Sequence, residues 1–211
     1  MAEPGDRRPI AARELAITQR VAGWLILRGA SADGISIAGM VAGLLAGLCL
    51  AAVAWTRLDA PFWLLGALFI QLRLLANMLD GMVAVGRGIA SPAGELFNEV
   101  PDRVSDTATL VGLGIACGEL ALGTGAALAA MLTAYIRAVG KAAGAPSDFR
   151  GPMAKQQRMA LVTVVAVLCA LLPEAWVATL PAVALWVILA GSLVTAWRRL
   201  AGSHRHLRLD R

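Results

Sequence analysis

Between Arg73 and Asp106 the sequence sets Asn77, Asp80, Glu95, Asn98, Glu99, Asp102 and Asp106 into a chain that is otherwise 58% hydrophobic. Read as two helices joined by a turn around Arg87 to Pro92, Asn77 and Asp80 lie three residues apart and share a face. Asn98, Asp102 and Asp106 recur every four residues, and Glu95, Glu99, Asp102 and Asp106 follow a 4-3-4 spacing along one stripe. Carboxylates stacked in this way repel one another unless a cation lies among them, and hard oxygen donors suit a divalent ion. The structural alternative pairs Asp80, Asp102 and Asp106 with Arg73 and Arg103 as helix glue, and leaves one acid unanswered. Ionisable groups in or at the edge of membrane spans are costly and mark function by default. Gly81, Ala84 and Gly94 flank the acids with small side chains. These let a ligand approach the backbone or let helices pack closely, and the two readings are compatible.

The elements that must position these groups are membrane helices. The chain has 211 residues, 22 glycines and 16% charged residues, with a mean hydropathy of +0.70. Soluble domains carry about 25% charged residues. The net charge of +5 is therefore a matter of membrane topology, and nucleic acid is not an expected partner. Cys49, Cys117 and Cys169 sit in apolar runs without metal-ligand spacing and read as small buried hydrophobes. MAEPGDRRPI has no apolar run after its basic start, so a cleaved signal peptide is not expected.

Ile35–Trp55 is an uncharged run long enough to cross a hydrocarbon core of roughly 30 Å. A second span follows from Phe62 to about Val85. The third starts near Glu95, polar in its first half and apolar over Leu110–Cys117, and a fourth runs from Leu120 to Val139. Met159–Trp197 would measure roughly 58 Å as one helix, and Pro173, Glu174 and Pro181 divide it into two spans. The fold class expected is thus all-α integral membrane, with six transmembrane helices. The domain plan is a segment 1–30 carrying an interfacial amphipathic helix (Ile10–Arg28), a helical catalytic domain 31–203 and a basic tail 204–211. One set of loops holds Arg7 to Arg28, Arg87, Lys141, Arg150, Lys155, Arg158 and the tail arginines, while the other holds only Arg57. By the positive-inside rule both termini and the acidic stripe face the cytoplasm, with the bacterial inner (plasma) membrane as the expected location.

The run Asn77-x2-Asp80-Gly81-x2-Ala84, followed by Gly94-x3-Asn98-x3-Asp102, resembles the signature of the CDP-alcohol phosphotransferase family, D-x2-D-G-x2-A-R, a spacer, then G-x3-D-x3-D. Asp33-Gly34-Ile35-Ser36 stands where relatives often have Asn-x-Ile-Thr, and GPMAKQQR (151–158) resembles the basic segment before the fifth span. The resemblance implies a six-span enzyme that moves a substituted phosphate from a CDP-linked donor, commonly CDP-diacylglycerol, to a small alcohol or lipid acceptor and releases CMP. It implies Mg²⁺ or Mn²⁺, as one or two ions, and a homodimer among membrane lipids. By position Asp102 matches the catalytic base. Asn77, Asp80, Asn98, Asp102 and Asp106 are the expected metal ligands, Asp80, Gly81, Ala84 and Gly94 the nucleotide-binding set, and Arg137, Lys155 and Arg158 the acceptor or phosphate-binding set.

Three departures stand out. Asn77 and Asn98 replace aspartates, and Val85 replaces the signature arginine. Four aspartates balance two divalent ions, whereas Asp80 and Asp102 balance one. Either a single ion binds, or Asp106 and Glu99 restore the missing charge; the continuing stripe favours restoration. Arg87 is the nearest substitute for the missing arginine. The competing function is a non-catalytic relative that binds lipid or nucleotide as an interaction module. A transporter would place its polar groups near the membrane midplane, which this sequence does not.

Overall fold

The computed structural model describes residues 15–56, 59–88, 92–177 and 179–209. Arg7, Arg8, Arg13, Arg57, Arg211 and the Glu95 side chain lie outside the described residues. Those described form seven α-helices and no strand: α1 Ala16–Leu27, α2 Ala32–Ala52, α3 Asp59–Gly86, α4 Pro92–Ala116, α5 Leu120–Ala142, α6 Lys155–Leu171 and α7 Thr179–Leu209. Short 3₁₀ turns follow α2 (Val53–Trp55) and precede α7 (Glu174–Trp176).

Local chemistry sets the boundaries. Ser31 caps α2, its hydroxyl accepting from the Gly34 amide at 2.9 Å, the usual use of serine at this position. Gly118, at φ 76°, closes α4 by letting the Glu119 amide reach back to the Gly114 carbonyl at 2.7 Å. Only glycine adopts that backbone at no steric cost, and α5 can therefore start two residues later.

Four segments are long and apolar enough to cross a membrane: Ala32–Trp55, Asp59–Gly86, Leu120–Ala142 and Glu174–Leu209. Two of the six expected spans fall short of that description. α4 carries the acidic stripe, and α6 has 17 residues, about 26 Å of helix. α7 continues through Leu209, so the segment expected as a separate tail extends the last helix. Its final turns pack beside the end of α5, with Ser203 against Gly140.

The helices meet through small residues. α2 lies along both α3 and α4. On the α4 side Gly43 faces Ser105, and Gly47 faces the Ala108 carbonyl and Gly112 so closely that a Cβ on either glycine would strike the opposing backbone. In lipid, helix association depends on such close backbone packing, because lipid tails are as apolar as the side chains. Leu50, Trp63, Ile70, Leu110, Leu113, Val162, Leu185 and Ile188 fill the shared core. α1 packs on the end of α3, with Ile26 against Gly86, and leaves Ile17, Val21, Trp24 and Leu27 exposed.

Candidate active site

α3 presents Arg73, Asn77 and Asp80 at spacings of four and three, and α4 presents Asn98, Asp102 and Asp106 at four and four, so each set lies on one helical face. The fold turns these faces toward each other and adds the first turn of α6, with Lys155 and Arg158. The expected acids are thereby brought together, and with them a set of cations.

Asp102 is the most heavily contacted. Its carboxylate meets the Arg73 guanidinium through Oδ1, and through Oδ2 the Lys155 ammonium at 2.6 Å and Arg103 at 3.5 Å. Arg73 and Asp102 are both buried, with side chains 4% and 8% exposed. Asp106 pairs with Arg158 at 3.2 Å, and the other nitrogen of the Arg158 fork donates to the Met153 carbonyl at 2.8 Å. Glu99 is held by Arg137, whose guanidinium also stacks 4.8 Å from the centre of the Phe149 ring. Asp80 accepts from the Ser36 hydroxyl at 2.6 Å and from the Gly81 amide at 2.5 Å. Asn77 donates to Asn98 Oδ1 at 2.6 Å and accepts from Lys155 at 2.9 Å.

Several expectations change here. Among the described residues no three His, Cys, Asp or Glu side chains converge as a metal-binding group, and of the five expected oxygen ligands Asn77 and Asp102 share the Lys155 ammonium while Asp106 meets Arg158. Asp106 and Glu99, expected to restore the charge lost at the two asparagines, are instead each answered by an arginine. Pairing with Arg73 and Arg103 alone left an acid unanswered; the fold supplies three further cations from α5 and α6. Arg137, Lys155 and Arg158 are all held by carboxylates, Glu99, Asp102 and Asp106 respectively. Arg87 does not replace the missing signature arginine. It donates to the Ala30 carbonyl at 2.8 Å and the Gly29 carbonyl at 3.3 Å and ties α3 to the α1–α2 turn.

A divalent ion fits the donor chemistry at a reduced charge. The oxygens of Asn77 and Asp102 converge on a cation, the Lys155 ammonium. Asp106 Oδ1 is buried without a hydrogen-bond partner, and both Asp80 oxygens keep lone pairs beyond the single donor each accepts. Oxygen donors of this type hold Mg²⁺ or Mn²⁺.

Sequence reasoning did not assign Ser36 to the site; the signal was its place in Asp33-Gly34-Ile35-Ser36, one turn inside α2. It also read Arg199 only as a tail charge. Arg199 is buried and donates to the Arg150 carbonyl at 3.1 Å and the Thr133 carbonyl at 2.9 Å, which fastens the loop before α6. In that loop burial would raise the Asp148 carboxyl, but hydrogen bonds from the Arg150 side chain and amide, with the arginine charge, hold it below the usual carboxylate range.

No family model matches the chain. It is similar to phosphatidylinositol phosphate synthase of Streptomyces avermitilis, 28% identical over 198 residues, which cover 87% of this chain and 76% of the relative. The enzyme of the same name from Mycobacteroides abscessus is 29% identical, over 87% of this chain and 82% of the relative. Among solved structures the fold resembles Mycobacterium tuberculosis phosphatidylinositol phosphate synthase with CDP-DAG bound, with a TM-score of 0.72, 24% identity, and coverage of 90% of this chain and 94% of the other. The same synthase in complex with manganese and citrate gives a TM-score of 0.71 at 23% identity, over 89% of this chain and 88% of the other. By sequence and by fold the chain is thus similar to these phosphatidylinositol phosphate synthases, with Asp102 of α4 held against Arg73 two turns before Asp80-Gly81 on α3.

Proposed function

We propose that the protein transfers the phosphatidyl group of CDP-diacylglycerol to the hydroxyl of an alcohol acceptor and releases CMP, in phospholipid synthesis. The observation that carries this reading is the meeting of Asp102 on α4 with Arg73, which lies on α3 two turns before Asp80-Gly81, in a chain similar to phosphatidylinositol phosphate synthases over 87% of its length. The name of those relatives makes inositol phosphate the first acceptor to assay.

In the transfer a bond forms between the acceptor oxygen and the phosphatidyl phosphorus, and the bond from that phosphorus to CMP breaks. Asp102 accepts the acceptor's proton, as a positioned carboxylate can. Arg73, Arg103 and Lys155 hold it in one orientation, so its approach to the hydroxyl is pre-set. Asp80, fixed by Ser36 and Gly81, lies with Ala84 and Gly94 on the nucleotide side. Arg137, Lys155 and Arg158 answer phosphate charge. Asp80 and Asp102 would provide the carboxylates for Mg²⁺ or Mn²⁺, which when bound would neutralise the charge that develops on departing CMP.

The bundle crosses the membrane six times, Asp102 and Asp106 of α4 being turned inward to cations of α3 and α6, which makes a polar half-helix tolerable. The exposed apolar side of α1 lies in the interface on the cytoplasmic side, where the basic loops put both termini and the site. A second copy of the chain completes a homodimer. The Asn77 and Asn98 departures and the cations around Asp102 favour a second reading, a non-catalytic nucleotide- or lipid-binding relative.

CMP release separates the two. The full chain in lipid nanodiscs is given CDP-diacylglycerol, Mg²⁺ or Mn²⁺ and inositol phosphate, glycerol phosphate, inositol or serine. Acceptor-dependent release of CMP that disappears in Asp102→Asn is the expected result, and binding of the CDP-lipid without release establishes the second reading.

A further inference from the structure

The Lys155 ammonium stands between two signature positions. It donates to Asp102 Oδ2 at 2.6 Å and to Asn77 Oδ1 at 2.9 Å, and its side chain is 10% exposed. An ammonium only donates hydrogen bonds, so it fixes which way the Asn77 carboxamide faces. Asn77 then has only its NH₂ to offer Asn98, and it donates to Asn98 Oδ1 at 2.6 Å. The order Lys155 to Asn77 to Asn98 runs one way. Both asparagines that stand where the signature has aspartate thus spend a carbonyl oxygen on this chain, one on the lysine and one on its neighbour's amide. The observations interlock. Two negative charges are absent, a positive charge sits against one of those positions, and the carboxamide oxygens there each already accept a hydrogen bond.

We propose that the Lys155 ammonium is a built-in cation in the place of one of the two divalent ions that a four-aspartate site balances, so that this protein loads a single divalent ion, with Asp80 and Asp102 as its carboxylates. Placement follows from where the charge was lost. With aspartate at 77 and 98 a second ion would be needed to offset four carboxylates. With asparagine there a second divalent ion would meet neutral carboxamides and a fixed like charge, and it is repelled. Lys155 is on this account a positioning residue for Asp102 and a charge substitute; it is removed from the acceptor-binding set, which leaves Arg137 and Arg158 to answer phosphate. The proposal rests on the phosphatidyl-transfer reading for its use of a divalent ion.

Counting Mn²⁺ tests it without reference to turnover. The full chain in nanodiscs, with CDP present, is titrated with Mn²⁺ by equilibrium dialysis and examined by electron paramagnetic resonance. The wild type is expected to bind one ion per chain, with a six-line spectrum of an isolated ion. The Asn77→Asp/Asn98→Asp/Lys155→Met variant is expected to bind two ions, with the spin coupling of ions about 3.5–4 Å apart. Lys155→Met alone guards against a triple variant that does not fold; its Mn²⁺ affinity is expected to rise about tenfold as the like charge is removed. None or two ions in the wild type, one ion in a folded triple variant, or unchanged affinity in Lys155→Met overturns the proposal. CMP release measured beside the count keeps the two readings apart. A wild type that releases CMP with two ions bound loses only the built-in cation, whereas no ion bound and no CMP released removes the transfer reading as well.

Discussion

The two halves of α4 are held in opposite ways. From Asn98 to Asp106 the helix is gripped by charge, through Arg73 and Lys155 on Asp102 and Arg158 on Asp106. From Ala108 to Gly112 it is gripped by shape, its backbone against Gly47 with no side chain between. Ionic partners can be exchanged for a ligand's phosphate or a metal ion, because each group keeps its charge and finds a new counter-charge. A backbone seam has no such freedom, since close-packed atoms either fit or do not. One helix therefore offers an exchangeable end, suited to binding and chemistry, anchored to an end that cannot shift.

The sharpest way to break this comparison is to change the charged half and leave the seam alone. Asp102→Asn should lower CMP release per folded molecule by about 10²–10⁴-fold, the usual contribution of a positioned acid–base group, and, because it strands the buried Arg73 and Lys155, it should also lower the thermal unfolding midpoint in nanodiscs. Unchanged CMP release per folded molecule would mean that Asp102 is structural glue alone. Asp106→Asn should lower the midpoint too, but leave CMP release per folded molecule nearer the wild-type value. It strands Arg158, whose side chain is 1% exposed, and losing one partner of a buried pair costs about 3–5 kcal/mol, read as a lowered midpoint. A matching double change, Asp106→Leu with Arg158→Met, should recover much of that stability, because a buried pair replaced by apolar groups is often neutral.

The seam gives the next effect. Gly112→Ala puts a methyl group against the Gly47 carbonyl and should destabilise by about 1–3 kcal/mol through overpacking. CMP release per folded molecule should stay unchanged if the two halves are separable, and a fall in specific activity would show that the seam sets the site's geometry.

The smallest effect lies in the loop before α6. Asp148 is held below the usual carboxylate range, so its contribution is complete above the unfolded value of about 3.9 and is lost as pH falls through the lower folded value. The small difference in midpoint between wild type and Asp148→Asn should therefore be present at neutral pH and close in acid. A difference that persists at low pH would assign the effect to packing.

Much of this was legible from residues alone. The all-helical class and the main helix boundaries follow from uncharged runs such as Ile35–Trp55, from Pro173 and Pro181 and from the glycine after α4, because a membrane helix must satisfy its own backbone. The placement of Asn77 with Asp80 on one face of α3, and of Asn98 with Asp102 and Asp106 on one face of α4, follows from a 3.6-residue period. What was not legible is who answers each charge. Arg158 and Lys155 look like ordinary basic residues of a cytoplasmic loop, and Arg87 like a neighbour of the signature. Nothing in one-dimensional spacing says that the first turn of α6 docks beside α3 while Arg87 turns to the Gly29 and Ala30 carbonyls.

The sequence by itself therefore determined the membrane helices, their polar end and the acid stripe, since these depend on local hydropathy and helical period. Only the tertiary structure decided that the acids are answered by cations from α3, α5 and α6, and that an ammonium stands between Asn77 and Asp102. The reason is physical: an ion pair depends on distance in space. Residues 53 positions apart in the chain, Asp102 and Lys155, reach 2.6 Å only because four helices meet there.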